Sequence, residues 1–176
     1  FSRPVHWVLA ILGHEILPVS LFDLKASNQT FGHRFHSPGS ITIEQPLDYE
    51  AKLLEAQVIA CFEARKAKIR MQVDVLAKQA DATAVVDEAL LEEVSALVEW
   101  PVPLLGNFDQ AFLQVPAEAL ISSMAEHQKY FHLVDKNDQL LAHFITVANI
   151  ESKNPDAVIS GNEKVIRPRL ADAKFF

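Results

Sequence analysis

The chain has 176 residues, 49% of them hydrophobic and 22% charged, with a net charge of -7 at neutral pH. That balance excludes a disordered or fibrous chain, and the length allows one domain that buries roughly 70% of its unfolded surface. No apolar run reaches the roughly 18 to 20 residues of a membrane span, the N-terminus carries no basic stretch followed by a cleavable apolar core, and the acidic balance opposes indiscriminate attraction to nucleic acid, so a cytoplasmic protein is expected.

The first section reads as extended chain. Trp7 to Leu12 and Ile16 to Leu21 are apolar runs on either side of Gly13-His14, where glycine can supply the positive φ of a tight hairpin turn. Thr30 to His36 adds an extended segment before the turn cluster Ser37-Pro38-Gly39-Ser40. From Asp48 the period changes to that of a helix. Val58, Phe62, Ile69, Val73 and Leu76 share one helical face, and Val86, Leu90, Val94 and Leu97 share another, with Asp81 to Thr83 as the break between two packed helices. The single cysteine, Cys61, lies among Val58, Ile59 and Phe62 and reads as a small buried hydrophobe, with no internal disulfide available to it.

Trp100-Pro101-Val102-Pro103 ends the helical section, because proline removes a donor and pushes the preceding residue out of the helical region. An apolar loop is expected down to Phe108. Pro116 then suits the first position of a helix whose Leu120, Ile121 and Met124 point one way, with His127 and Lys129 at its C-terminal end. Phe131 to Val134 and Leu140 to Ile150 flank Asp135-Lys136-Asn137-Asp138 as a second hairpin. Asn154-Pro155 opens a final helix, which Pro168 should kink or end near Arg167. The order of strands, helices, strands and helix gives an α+β fold. Its sheet is formed by the N-terminal and C-terminal hairpins with flanking helices, and residues 48–100 are a helical pair inserted within a single domain spanning 1–176.

Charge is unevenly spread. Asp81 to Trp100 holds six acids and no Lys or Arg, whereas Glu63 to Lys78 holds five bases and two acids, so basic and acidic faces are expected to be separated in space. Reactive motifs are missing: the sequence has no Gly-rich phosphate loop, nucleophile elbow, HExxH pair or CxxC.

Four long strings stand out: Leu97 to Asp109 (LVEWPVPLLGNFD), His127 to Phe131 (HQKYF), Asn149 to Asn154 (NIESKN) and Gly161 to Phe176 (GNEKVIRPRLADAKFF). Together they resemble the beta subunit of bacterial glycyl-tRNA synthetase, and the resemblance runs almost without a gap from Phe1 to Phe176. It implies an internal fragment of a longer subunit that works with an alpha subunit, with other domains of the beta subunit and with glycine tRNA. The adenylation site, with its ATP and magnesium, would lie on the alpha subunit, and this fragment would hold no cofactor, metal or catalytic residue of its own. Through the family, the region also resembles the editing-type module of the phenylalanyl-tRNA synthetase beta subunit.

The last string supplies the leading RNA contacts, Lys164, Arg167 and Arg169, with Lys174 beyond them. Arginine grips phosphate and stacks on bases, and Pro168 would hold two arginines at a fixed separation. The alternative is ion pairing to Glu163, Asp172 or a neighbouring domain. His127 and Lys129 could meet a phosphate or a nucleotide edge, or His127 could instead cap a helix C-terminus. Arg34 lies between His33 and His36 and joins the candidate RNA contacts, while the two histidines read as structural rather than metal ligands. His143 reads as a hydrogen-bonded core histidine. Two rivals to tRNA placement and alpha/beta assembly are a hydrolytic editing-type domain and a pure scaffold.

Overall fold

The computed structural model describes residues 4–175, and the chain divides after Cys61 into two units. The first unit is built from short strands. Ile11–Leu12 (β2) and Glu15–Ile16 (β3) form the expected hairpin, pairing Ile11 with Ile16 around Gly13 at φ +60. The runs beside it divide further than their apolar pattern indicates. Val8–Leu9 (β1) pairs in parallel with Leu24–Ser27 (β5), and Ser20–Leu21 (β4) pairs with β5 in antiparallel fashion across a Phe22-Asp23 turn. Gln29–Phe31 (β6) pairs with Ser40–Thr42 (β7), and the Ser37 to Gly39 cluster lies in the connection between them.

A helix, Tyr49–Glu55 (α1), completes the unit. It stops where Gln57 takes φ +58 and the Val58 N–H donates to the Leu53 carbonyl at 2.8 Å. This closure places Val58 outside any helix, so the expected helical face begins later. Cys61 is exposed rather than buried. It precedes the next helix in irregular chain, where no apolar face encloses it.

The second unit is a sheet between two helical layers. Phe62–Gln79 (α2) and Glu88–Leu97 (α3) flank a strand, Thr83–Val85 (β8), at the place read as a plain break. Val102–Asn107 (β9) is a strand where an apolar loop was expected. It tolerates Pro103 because it lies at the edge of the order β8-β10-β11-β9, where a missing N–H costs no ladder bond. The hairpin of Phe131–Val134 (β10) and Leu140–Ala148 (β11) forms the middle of this sheet, and Asp135 Oδ1 accepts from the Asn137 and Gln139 N–H groups at its turn.

Hence the main sheet draws its outer strands from the middle of the chain, and among the described residues no ladder joins the N-terminal strands to it. The nine residues of β11 pair on one side with β10 and on the other with β9, from His143–Asn107 to Ala148–Val102. Both edges of that central strand are thereby used.

Neighbouring side chains of β11 point to opposite faces. Ile145 joins Phe131 and Leu133 against Ile69 and Val73 of α2 and Leu91 and Val94 of α3, all buried. Phe144 faces the other way, onto Leu120 of Ala117–Ser122 (α4), Met124, Tyr130, and Ile166 and Leu170 of Pro155–Ala173 (α5). Gly106 is required opposite Phe144, because a Cβ there would be driven into the ring. The final helix runs through Pro168 instead of ending near Arg167. Pro168 is exposed, while Ile166 and Leu170 on either side are fully buried, so packing holds both turns across the missing hydrogen bond.

Candidate nucleic-acid interface

The final helix is fixed before any charge is considered. Asn154 Oδ1 accepts from the Ala157 N–H at 3.2 Å and Pro155 occupies the first turn. Tyr130 donates its hydroxyl to Asn162 Oδ1 at 2.6 Å, and Glu163 Oε1 accepts from the Asn107 backbone N–H at 2.9 Å. Tyr130 also stacks on Phe144 with ring centroids 4.6 Å apart, and its burial pushes the phenol pKa up to about 12. Thus Asn162, Glu163, Ile166 and Leu170 of the last string build the fold.

The basic half of that string stays outside it. Lys164, Arg167, Arg169 and Lys174 are exposed, and none of them forms an ion pair among the described residues. Glu163, named as an alternative partner, has turned to a backbone N–H instead. Lys164 and Arg167 line a concavity of about 500 Å³ with Phe108, Phe112, Asn107 and Ser160, alongside the carboxylates of Asp109 and Glu163. Arg169 lines another, of about 370 Å³, with His127, Ser122, Ser123 and Asp172.

Those two concavities lie on different sides of α5. At about 100° per residue, Arg167 and Arg169 project roughly 160° apart, so Pro168 does not set them as one fork. Lys164 and Arg167, three residues apart, share a side.

The other sequence-derived candidates are dispersed. His127 ends a π-turn formed by Ser123–His127 and is exposed beside Arg169. Lys129 has φ +59 and its ammonium pairs with Glu93 at 2.9 Å, tying it to α3. Arg34 belongs to the first unit, where its guanidinium lies 5.7 Å from the centre of the exposed Phe35 ring. His33 is buried and structural, with Nδ1 accepting from the Phe35 and His36 N–H groups, each at 3.2 Å. Among the described residues no group of three or more His, Cys, Asp or Glu could hold a metal ion. His143 bonds through Nδ1 to Asn107 Oδ1, as a half-buried residue within β11 opposite the end of β9 rather than in the core. His132 is the histidine whose pKa burial lowers.

The basic run of α2 does not face solvent alone. Lys66 pairs with Glu88 and with Glu92, and Arg70 pairs with Glu88, so the acidic and basic stretches meet across α2 and α3 instead of separating. Donating hydrogen bonds to the Glu88 and Glu92 carboxylates raises the Lys66 pKa, and Lys66 in turn lowers that of Glu88.

Sequence reading overlooked Asn149. Its Oδ1 accepts from the N–H groups of both Glu99 and Trp100, each at 2.9 Å, which fastens the NIESKN string to LVEWP. Lys68 then lies 4.4 Å from the centre of the Trp100 ring. Phe108 and Phe112 were overlooked as site residues because an apolar loop gives no sign of which cations it will meet.

Comparison with known proteins agrees with the four strings. A family model described as glycyl-tRNA synthetase beta subunit matches residues 1–176. The chain is 57% identical over 178 residues to the glycine--tRNA ligase beta subunit of Marinobacter nauticus, and 55% identical to those of Hahella chejuensis and Chromohalobacter salexigens. Each alignment covers 100% of this chain and 26% of the relative, so the chain spans about a quarter of their length. Among the described residues no helix is long and apolar enough to cross a membrane. Matched along its whole length, the chain belongs to the glycyl-tRNA synthetase beta subunit family.

Proposed function

We propose that this chain is a non-catalytic part of a cytoplasmic glycyl-tRNA synthetase, placing glycine tRNA and supporting assembly of alpha and beta subunits. The observation that carries the reading is the division of the last string: Ile166 and Leu170 are buried while Lys164, Arg167 and Arg169 are exposed and free of ion pairs among the described residues. A pure scaffold would use those arginines internally. The exposed Arg167 guanidinium, lining one concavity with the Phe108 and Phe112 rings, suits phosphate and unstacked bases.

The mechanism is positional. Adenylate chemistry, with ATP and magnesium, would take place on the alpha subunit, and this piece would hold tRNA so that its 3' end reaches that centre, reducing the entropic cost of transfer. The likeness to the editing-type module of the phenylalanyl-tRNA synthetase beta subunit belongs to the same proposal at the level of fold. Editing itself is disfavoured, since glycine has no smaller amino-acid competitor to exclude.

The test is titration of glycine tRNA against the complete alpha/beta enzyme and its Arg167→Ala/Arg169→Ala variant at several salt concentrations. Each lost phosphate contact should lower the slope of log affinity against log salt by about 1. A variant with unchanged affinity and slope would remove these residues from the RNA surface.

A further inference from the structure

The first unit has little core of its own. Ile43, Leu53 and Ala56 are its buried apolar side chains among the described residues, whereas Leu12, Ile16, Leu21, Phe22 and Phe35 are exposed. Phe22 is the most unusual of these. It is 75% exposed at the tip of the β4–β5 hairpin, and it and Asp23 take φ values of +54 and +60. Two-residue turns with both residues at positive φ favour Asn-Gly or Asp-Gly, because a side chain beyond Cβ gains nothing there and an L-residue is strained. An aromatic residue at that position is disfavoured twice, by backbone strain and by exposure of its ring to water.

We propose that the Phe22 turn is a docking plug that seats in an apolar pocket on the part of the beta subunit lying outside these 176 residues. The relatives this chain matches are nearly four times its length, so most of the subunit is available as cover. A unit with three buried apolar side chains needs permanent cover, since small domains with scant cores are marginal alone. A site on the same polypeptide supplies that cover at high effective concentration from the moment of synthesis, whereas a separate chain must first be met. RNA fits less well: on the β4–β5 hairpin Asp23 is balanced by the exposed Lys25, so the turn offers no net positive charge to attract phosphate. The inference rests on family membership and on the first unit alone, and it stands or falls independently of RNA binding by α5.

Hydroxyl-radical footprinting of the full-length beta subunit, read by mass spectrometry at Phe22, tests it. Oxidation should be suppressed to a small fraction of the rate in the urea-unfolded subunit, equally at low and high protein concentration and without added alpha subunit or tRNA. The Phe22→Asn variant relaxes the turn but removes the plug, so the melting temperature of the full-length subunit should fall by several degrees. Oxidation near the unfolded rate, or a melting temperature unchanged or raised in the variant, would overturn the proposal. So would protection that requires the alpha subunit, tRNA or a raised beta-subunit concentration, each naming a different occupant.

Discussion

Replacing Asn149 with Ala tests what the most recognisable strings of this chain are for. The Asn149 Oδ1 atom accepts from the Glu99 and Trp100 N–H groups, each at 2.9 Å, and both residues are half-buried just beyond the end of α3. No secondary structure supplies another acceptor there. Losing each bond costs about 1 kcal/mol net, so Asn149→Ala should destabilise the protein by about 2 kcal/mol. For a chain of this size that lowers the melting temperature by about 4–8 °C. Urea unfolding should show a lower midpoint at unchanged slope. Amide hydrogen exchange should accelerate at Glu99 and Trp100 before it does in β10 or β11. A destabilisation below about 0.5 kcal/mol, within the ordinary range for surface substitutions, would refute the clamp. Unchanged exchange at those two amides would refute it equally.

Other expectations follow from the layer between β11 and α5. Burial raises the Tyr130 pKa to about 12 from an unperturbed 10.0, so the unfolded state loses this proton first as pH rises. Stability from this group is therefore intact below pH 10 and is lost on the order of 2–3 kcal/mol as pH climbs toward 12. Tyr130→Phe should flatten that alkaline limb in urea titrations, while costing about 1 kcal/mol at neutral pH through the unmet Asn162 acceptor. Gly106→Ala places a methyl against the buried Phe144 ring and should cost about 1–3 kcal/mol by overpacking, visible as a lower melting temperature.

The period-based parts of the fold were legible. Ile69, Val73, Leu90 and Val94 lie on the inward faces of α2 and α3 as their spacing requires, and the Asp135 to Asp138 turn joins the hairpin it flanks. What escaped was pairing over distance. Nothing local marks Thr83–Val85 as a strand, because it gains its ladder from β10, about fifty residues later. Val102–Asn107 was hidden by Pro103, whose meaning depends on whether the strand is central or at an edge. Pro168 misled for a related reason: propensity ends the helix there, and the buried Ile166 and Leu170 override it. In the site, charge was legible but its partners were not. Lys129 reads the same as Lys164 in the sequence, and only the fold brings Glu93 to one and leaves the other exposed.

That sorting leaves Lys164, Arg167 and Arg169 as the cations of the last string with the strongest claim on RNA, and their geometry makes a sharper demand than charge alone. Were Arg167 and Arg169 to grip a single phosphate, either single substitution would forfeit the contact and the double variant would be little worse. Projecting roughly 160° apart on α5, they cannot share one. Arg167 belongs with Lys164 and the Phe108 and Phe112 rings, and Arg169 with His127 and the Ser122 and Ser123 hydroxyls. Losses in glycine tRNA affinity should then add across the two single variants, whereas Lys164→Ala and Arg167→Ala, on one side of the helix, should be sub-additive. Measured on the complete enzyme at fixed salt, one single variant unchanged and the other as weak as the double Arg167→Ala/Arg169→Ala variant would mean that RNA meets one side of α5 only.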